Sequence, residues 1–243
     1  MEKYTQQYQP TSCSCDAQGF LRLRRLFNLF QEVAETQAEK LGFGLTYCTT
    51  HHVVWVASGY HMYIERMPAL HEVILVTTWP SSVSMVTANR EFVVTNEQGE
   101  VLIKATSRWA LIDSETERLV PVKKQMPDLA GNDERAIDST FPKIHAPENT
   151  ASSGHISFPV HADDIDINRH VNNAIYAGWC LDLAERPASD LKEIQVSFNA
   201  PAKNKGGVEI TAYTTGHEQI HILRNPAAQE IYAQVRFVWK DAS

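Results

Sequence analysis

EVLIKATSRW, at residues 100–109, has a counterpart in EIYAQVRFVW, at residues 230–239. Each segment runs from Glu to Trp and alternates apolar with polar residues, which is the period of a β-strand that buries one face. Each also follows a turn-forming stretch and an earlier alternating run, so each is predicted to be the second strand of a β-hairpin. The repeat predicts that the chain contains two copies of one structural unit.

Each unit is predicted to open with a helix and to continue in strands. Between Phe20 and Gly42, apolar residues recur at steps of three and four, which is the period of an amphipathic helix. In the second half, Val171 begins a four-residue apolar repeat that ends before Pro187. Only strand-like segments follow each helix, at 51–64, 72–79, 85–96 and 100–112, then at 192–199, 207–215, 219–224 and 230–240. One helix across the concave face of an antiparallel sheet, twice over, predicts an α+β fold class.

The length of 243 residues suits two such units, and 43% hydrophobic residues suffice for a packed core. Residues 126–152 carry several Pro and show no sustained periodicity, as a linker does. We therefore expect an N-terminal domain at 1–125, a linker at 126–152 and a C-terminal domain at 153–243.

Charge and cysteine usage exclude several classes of function. With 22 basic and 29 acidic side chains the net charge is −7, which repels a phosphate backbone, so nucleic acid is not expected as a partner. No segment approaches the ~18 consecutive apolar residues of a membrane span, and the first residues lack the pattern of a signal peptide. The four cysteines form no CxxC pair, which favours a reduced, cytoplasmic protein. The sequence carries no nucleotide, flavin or metal motif, so no cofactor is expected.

The densest group of polar residues lies in ADDIDINRHVNNAIYAGW, at 162–179. Asp166, Asn168 and His170 alternate, which places them on one side of an extended segment just before a helix. A helix start offers backbone N–H groups and a positive dipole end that can polarise a carbonyl. The pattern favours activation of water against an ester or thioester. The alternative is that Asp166 and Asn172 only cap the helix, and a metal site is disfavoured because no third and fourth ligands lie nearby.

The segment DIDINRHVNNAIYAGWCLD, residues 164–182, resembles the D-x-N-x-H-V-N-N-x-x-Y-x-x-W motif of the acyl-acyl-carrier-protein (acyl-ACP) thioesterases, a plant and bacterial family of tandem hotdog proteins. Segments of the first half resemble that family in order and spacing: FQEVAE at 30–35, RMP at 66–68, TWP at 78–80, NREF at 89–92 and TSRWALID at 106–113. The resemblance covers residues 3–240. It implies a double hotdog, in which each half is an antiparallel sheet wrapped around a central helix.

The resemblance implies that the chain hydrolyses the thioester of a fatty acyl-ACP, which ends fatty-acid synthesis. It assigns the family's catalytic Asp, Asn and His to Asp166, Asn168 and His170. The family's fourth residue, a Glu after the helix, falls at Pro201 in this chain. Two alternatives stay open: a weakened hotdog protein that binds acyl thioesters or the carrier without turnover, and an acyl-CoA thioesterase. A hotdog hydratase or dehydratase is disfavoured because it needs a His and Glu pair in a different helix context.

The resemblance also implies where substrate and carrier bind. Chain-length selection is expected on the first helix, with plain core packing as the alternative, and further substrate contacts are expected at the start of the second helix; the residues are Leu23, Phe27, Phe30, Asn172 and Asn173. An acidic acyl carrier protein is expected to dock on basic residues, with an ordinary solvated surface as the alternative; the candidates are Arg22, Arg24, Arg25, Lys203 and Lys205. The family also allows two chains to pair as a homodimer.

Overall fold

The structure is a computed structural model that describes residues 1–202 and 206–241. The first half contains β1 (Tyr4–Tyr8), α1 (Leu23–Lys40), α2 (Leu45–Thr50), β2 (Val53–Ile64), β3 (Ile74–Val83), β4 (Thr87–Asn96), β5 (Val101–Asp113), β6 (Leu119–Val120) and α3 (Val122–Gln125). The second half contains β7 (Gly154–Pro159), α4 (Asn173–Ala184), β8 (Leu191–Phe198), β9 (Gly207–Thr215), β10 (Glu218–Arg224) and β11 (Ile231–Trp239). Short 3₁₀ turns occupy Ser12–Ser14, Ala162–Asp164 and Ala188–Asp190.

The strands form one antiparallel sheet in the order β1-β3-β4-β5-β2-β8-β11-β10-β9-β7, with β6 added beside β5. Read outward from its centre, the second half repeats the strand order of the first. The two halves join where β2 pairs with β8, and His61 lies opposite Gln195 in that pairing. The predicted duplication, the α+β class and the double hotdog are confirmed.

The two long helices lie on the concave face of the sheet and share one hydrophobic core. Phe30 of α1 stacks on Phe92 of β4 with ring centroids 4.5 Å apart, and Phe27 meets Tyr60 of β2 edge-on at 5.2 Å. The same core cluster includes Ile175 of α4. Burial of these large side chains, at ~25 cal/mol per Å² of apolar surface, is the main term that holds the helices on the sheet.

The prediction that each half opens with a helix is wrong, because each half opens with an edge strand, β1 or β7. The β1 sequence YTQQY is largely polar and only partly buried, so it carries a weak strand pattern. The first helix was predicted from Phe20 but begins at Leu23, because Phe20 and Leu21 form β-bridges. It ends near Gly42, whose φ of +78° lies in the left-handed region that Gly adopts without strain.

The segment between α3 and β7 forms no helix or strand, yet it is fixed to the outer face of the sheet. Glu91 is fully buried there and accepts hydrogen bonds from Arg135 Nε at 3.0 Å and from Ala136 N at 3.1 Å. Ser139 Oγ lies 2.8 Å from His61 Nδ1. In the second half, Gln234 Nε2 of β11 donates to Ile144 O of the same segment. The segment therefore contacts both halves from outside, while the domain bounds of 1–125, 126–152 and 153–243 stay a prediction.

Across the described ranges, the helices are too short or too polar to cross a membrane.

Candidate active site

The predicted site residues lie in a tight turn before α4, so the prediction that they share one side of an extended segment is wrong. Asp166 N donates to His170 O at 2.8 Å and closes the turn, and Arg169 adopts a left-handed φ of +63° within it. Asp166 Oδ1 accepts from the backbone N of Asn168 at 2.8 Å and of His170 at 3.3 Å. Asp166 thus fixes the backbone of the loop that carries the side chains of Asn168 and His170.

The first half contains the same turn in front of α1. Asp16 Oδ1 accepts from Gln18 N at 2.9 Å and from Phe20 N at 3.0 Å, and Gly19 has the left-handed φ of +82°. This half therefore has Gln and Phe where the second half has Asn168 and His170. The aspartate belongs to the turn in both halves, whereas the Asn and His belong to the second half alone.

The side chains of Asn168 and His170 are free of protein partners within residues 1–202 and 206–241. Asn168 is exposed and His170 is partly buried, and no hydrogen bond or ion pair to either side chain is found there. An amide can donate to a carbonyl oxygen, and an imidazole is the side chain that most often moves protons in catalysis. The turn can therefore offer both groups to a substrate.

Asn172, predicted to contact substrate, caps α4 and ties it to α1. Its Oδ1 accepts from Ala174 N at 2.9 Å and from Gln31 Nε2 at 3.2 Å, and its Nδ2 lies 3.4 Å from Asn28 Oδ1. Asn173 is the first residue of α4 and is partly buried. The predicted cap is confirmed for Asn172, and a substrate contact by either residue stays a prediction.

Pro201 lies directly beside the turn. The next residue, Ala202, accepts a hydrogen bond from Val171 N at 2.9 Å and donates its own N–H to Tyr176 Oη at 3.1 Å. Position 201 therefore adjoins the segment that follows the turn, but a pyrrolidine ring there cannot accept a proton. Glu193 does not take its place, because it bonds His61 on the outer face of the sheet.

A cavity of about 230 Å³ opens beside this turn, between α1 and the concave face of the first-half sheet. Four residues of its lining join the turn to α1: Ile167, Asn168, Gln31 and Glu35. Ile167 is 81% exposed, so the turn forms the rim. The rest of the lining is mainly apolar and includes Ala34, Ala38, Leu41, Phe43, Trp55 and Trp109. A chain that enters at Asn168 passes into an apolar interior.

The residues predicted to select chain length do not line this cavity. Leu23, Phe27 and Phe30 are at most 2% exposed and pack in the core. The lining comes from the later turns of the same helix, where Ala34 and Ala38 leave room beside larger neighbours. Small residues on an otherwise bulky apolar stripe are the sequence signal that would have marked this region.

The predicted docking arginines are partly engaged within the chain. Arg25 Nη2 donates to Glu32 at 3.0 Å, and Arg24 Nη2 donates to the backbone O of Asp163 at 3.3 Å. Burial raises the pKa of Asp182, and the charge of Arg22 partly offsets this. Lys203 and Lys205 lie outside the described residues, so carrier docking stays a prediction.

Neither metal nor thiol chemistry is supported around the cavity. In the part of the chain that is described, no group of three or more His, Cys, Asp or Glu could hold a metal ion. Cys48 lines the cavity, but burial raises the pKa of its thiol to about 11, and burial raises that of Cys180 as well. Thiols with raised pKa values are poor nucleophiles, so Cys48 and Cys180 are poorly suited to attack a thioester.

Two family models match the chain. One, described as the acyl-ACP thioesterase N-terminal domain, matches residues 1–129, and the other, described as the acyl-ACP thioesterase C-terminal domain, matches residues 147–241. The oleoyl-acyl carrier protein thioesterase 1, chloroplastic, of Arabidopsis thaliana is 29% identical over 236 residues, which cover 81% of this chain and 65% of that protein. The chain thus spans less than two thirds of the length of this curated relative.

Solved structures share the fold over nearly the whole chain. An acyl-ACP thioesterase from Bacteroides thetaiotaomicron superposes with a TM-score of 0.85 at 20% identity and covers 98% of each chain. An oleoyl thioesterase (putative) from Lactobacillus plantarum superposes with a TM-score of 0.81 at 26% identity and covers 100% of this chain and 97% of that one.

Proposed function

Because the chain belongs to the acyl-ACP thioesterase family, we propose that it hydrolyses the thioester of a fatty acyl-ACP to the free acid and the carrier, and so ends fatty-acid synthesis. One observation carries the proposal: Asn168 stands on the rim of a cavity whose interior is mainly apolar. A thioester carbonyl at Asn168 lets the alkyl chain enter the cavity, while the carrier's phosphopantetheine arm stays outside. The same site then accommodates the acyl chain on one side of the scissile C–S bond and the carrier arm on the other.

The reaction requires attack of water on the thioester carbonyl carbon. In our proposal the Asn168 amide donates to the carbonyl oxygen and stabilises the charge that develops there. His170 takes a proton from water as its oxygen bonds to the carbon. The C–S bond then breaks, and the imidazolium returns the proton to the departing thiolate. Asp166 is a positioning residue, because its Oδ1 fixes the backbone of both groups.

A weakened protein that binds acyl thioesters without turnover is the second candidate, and Pro201 favours it. A general base contributes ~10²–10⁴ in rate, so the missing carboxylate beside His170 lowers activity if that carboxylate is the base. If His170 is the base, activity persists. A measurement of turnover distinguishes the two candidate functions.

The same proposal covers the carrier protein, the cellular compartment and the oligomeric state. An acidic carrier protein suits the arginines at the start of α1, where Arg24 keeps half of its side chain exposed. Four cysteines without disulfides suit a reducing compartment such as the cytoplasm. We propose a homodimer on the family resemblance alone.

The test is release of free thiol from acyl-ACP and acyl-CoA of matched chain length. We expect turnover of acyl-ACP, and we expect His170→Ala to reduce kcat by ~10²–10⁴. His155→Ala, an exposed histidine on β7, is the matched control and should keep normal turnover. Binding without release would support the second candidate. Faster turnover of acyl-CoA than of acyl-ACP would contradict the proposed carrier. Normal turnover by His170→Ala would contradict the proposed mechanism.

A further inference from the structure

Arg90 brings an unpaired cation into the mainly apolar cavity. It lies on β4 beside Phe92 on the same face, so its side chain points toward α1, and it forms part of the cavity lining. Its neighbour Glu91 faces the opposite side of the sheet, where it pairs with Arg135. In the described part of the chain, no carboxylate lies within ion-pair distance of Arg90.

Only one nitrogen of the Arg90 guanidinium is bonded to protein in the described ranges. Nη1 donates to Gln37 Oε1 and, at 3.2 Å, to Thr78 Oγ1. A guanidinium carries five N–H donors, so those on Nε and Nη2 are left for another acceptor. Burial lowers the pKa of Arg90 to about 10, which still leaves it charged at neutral pH. The wall thus offers charged donors that the protein itself does not use.

A second polar group close to Arg90 is also unsatisfied. The hydroxyl of Tyr60 is buried and has no hydrogen-bond partner among the described residues. Burial raises the pKa of Tyr60, and the nearby charge of Arg90 acts against that rise. By contrast, Trp109 Nε1 on the same wall donates to Ser107 at 2.7 Å. The hydroxyl of Tyr60 and the guanidinium of Arg90 are therefore two neighbouring polar groups with unused hydrogen-bonding capacity.

The position of Arg90 along the cavity decides which part of a chain it meets. Its partner Gln37 lies six residues beyond Gln31 on α1, which is ~9 Å along the helix axis from the rim. Apolar lining continues past that level to Leu41, Phe43 and Trp55. Arg90 therefore faces neither the thioester nor the far end of a bound chain, but its middle.

We propose, on the basis of the proposed function, that the cavity selects fatty acyl chains that carry a hydroxyl or keto oxygen in mid-chain, and that this oxygen accepts hydrogen bonds from Arg90. A plain alkyl chain would strip the guanidinium of water and leave its donors unpaired, which is costly. The apolar lining beyond Arg90 disfavours a terminal carboxylate. Arg90 is then the residue that determines specificity.

The test compares binding of free fatty acids of one length, with and without a mid-chain hydroxyl, by calorimetry on the full chain. A hydrogen bond to a charged donor is worth about tenfold or more in affinity, so the hydroxy acid should bind at least that much tighter. Arg90→Met should remove the preference, and Arg90→Lys should keep part of it. Arg108→Met is the control, because Arg108 stacks on Phe141 4.3 Å from the ring centroid, on the outer face of the sheet.

Equal binding of both acids by the unaltered protein overturns the inference, and so does a preference that survives in Arg90→Met. Thioester release is measured in parallel on the matching acyl-ACP pair. A binding preference without any release contradicts the proposed hydrolysis and leaves the inference standing. Release of both thioesters at equal kcat/KM, with equal binding, contradicts the inference and leaves the hydrolysis standing.

Discussion

Substitution of the two equivalent aspartates, Asp16 and Asp166, separates the structural from the chemical part of the site. Each carboxylate accepts two backbone N–H bonds in the same turn, so replacement by Ala removes the same contacts in both halves. Loss of a cap of this kind costs about 1 kcal/mol. For a chain of this size that lowers Tm by about 2–4 °C. We expect Asp16→Ala and Asp166→Ala to lower Tm by similar amounts in thermal unfolding.

The two variants should differ in activity. Asp16→Ala leaves the second-half turn intact and should retain nearly normal kcat. Asp166→Ala releases the loop that presents Asn168 and His170, and displacement of catalytic groups by ~1 Å can cost 10²-fold. We therefore expect a loss of that order in free-thiol release from acyl-ACP. Near-normal kcat in Asp166→Ala would refute the assignment of the site to this turn.

Asp166→Asn decides what the carboxylate does. An amide oxygen still accepts from both backbone N–H groups, so a positioning residue should tolerate the change, with kcat within about tenfold of normal and Tm nearly unchanged. A general base cannot be replaced in this way, and its loss costs ~10²–10⁴. A thousandfold loss in Asp166→Asn at unchanged Tm would therefore refute the positioning role and make Asp166 the base.

Three further predictions concern stability, chain length and rate. Both ring nitrogens of His221 are buried without a partner among the described residues, and burial lowers its pKa from 6.5 to about 4. Between these pH values only the unfolded state binds a proton at His221. The free energy of unfolding should therefore fall by up to about 3 kcal/mol as the pH drops from 6.5 to 4. Thermal unfolding of His221→Leu should lack most of this pH dependence. Ala38→Phe should fill the cavity and shift hydrolysis toward shorter acyl chains, whereas Thr36→Phe on the other side of α1 should not; an unchanged chain-length profile would contradict this cavity as the acyl site. Pro201→Glu should raise kcat by tenfold or more and Pro201→Gln should not, because a carboxylate near the turn can stabilise the imidazolium that His170 forms, whereas an amide cannot; equal rates in the two variants would show that no carboxylate is missing there.

Most strands could be predicted because alternation reports directly on burial. β9 coincides with its predicted segment at 207–215, and β5 and β11 each lie within one residue of their predicted segments at both ends. β3 was predicted to end at 79 but runs to Val83, because a bulge between Pro80 and Ser82 lets the strand continue past a residue that cannot donate. Local pattern alone does not report such a bulge.

The segment that carries the site could be predicted from sequence, but its turn and the cavity could not. Alternation predicts an extended segment at Asp166, Asn168 and His170, and it misses the turn that the Asp166 N to His170 O hydrogen bond closes. The cavity wall instead combines α1 and α2 with strands far apart in the chain, and with Leu129 beyond α3. Whether Arg90 or its neighbour Glu91 points toward the cavity depends on which face of the sheet α1 covers. Only the pairing of strands and the packing of helices bring these residues together.

The halves have diverged around one shared plan, and the divergence places a single site across both of them. α1 has 18 residues and α4 has 12, and the difference extends α1 by about 9 Å. That extension, residues 35–40, faces α2 and contributes Glu35 and Ala38 to the cavity wall. In the second half, the described residues include no helix that corresponds to α2. The proposed catalytic side chains, however, lie in the second-half turn, where the first half has Gln18 and Phe20. Since most of the cavity lining belongs to the first half and Asn168 and His170 belong to the second, the proposed site requires both halves. The β2–β8 pairing and the capping contacts of Asn172 with α1 bring the two parts together.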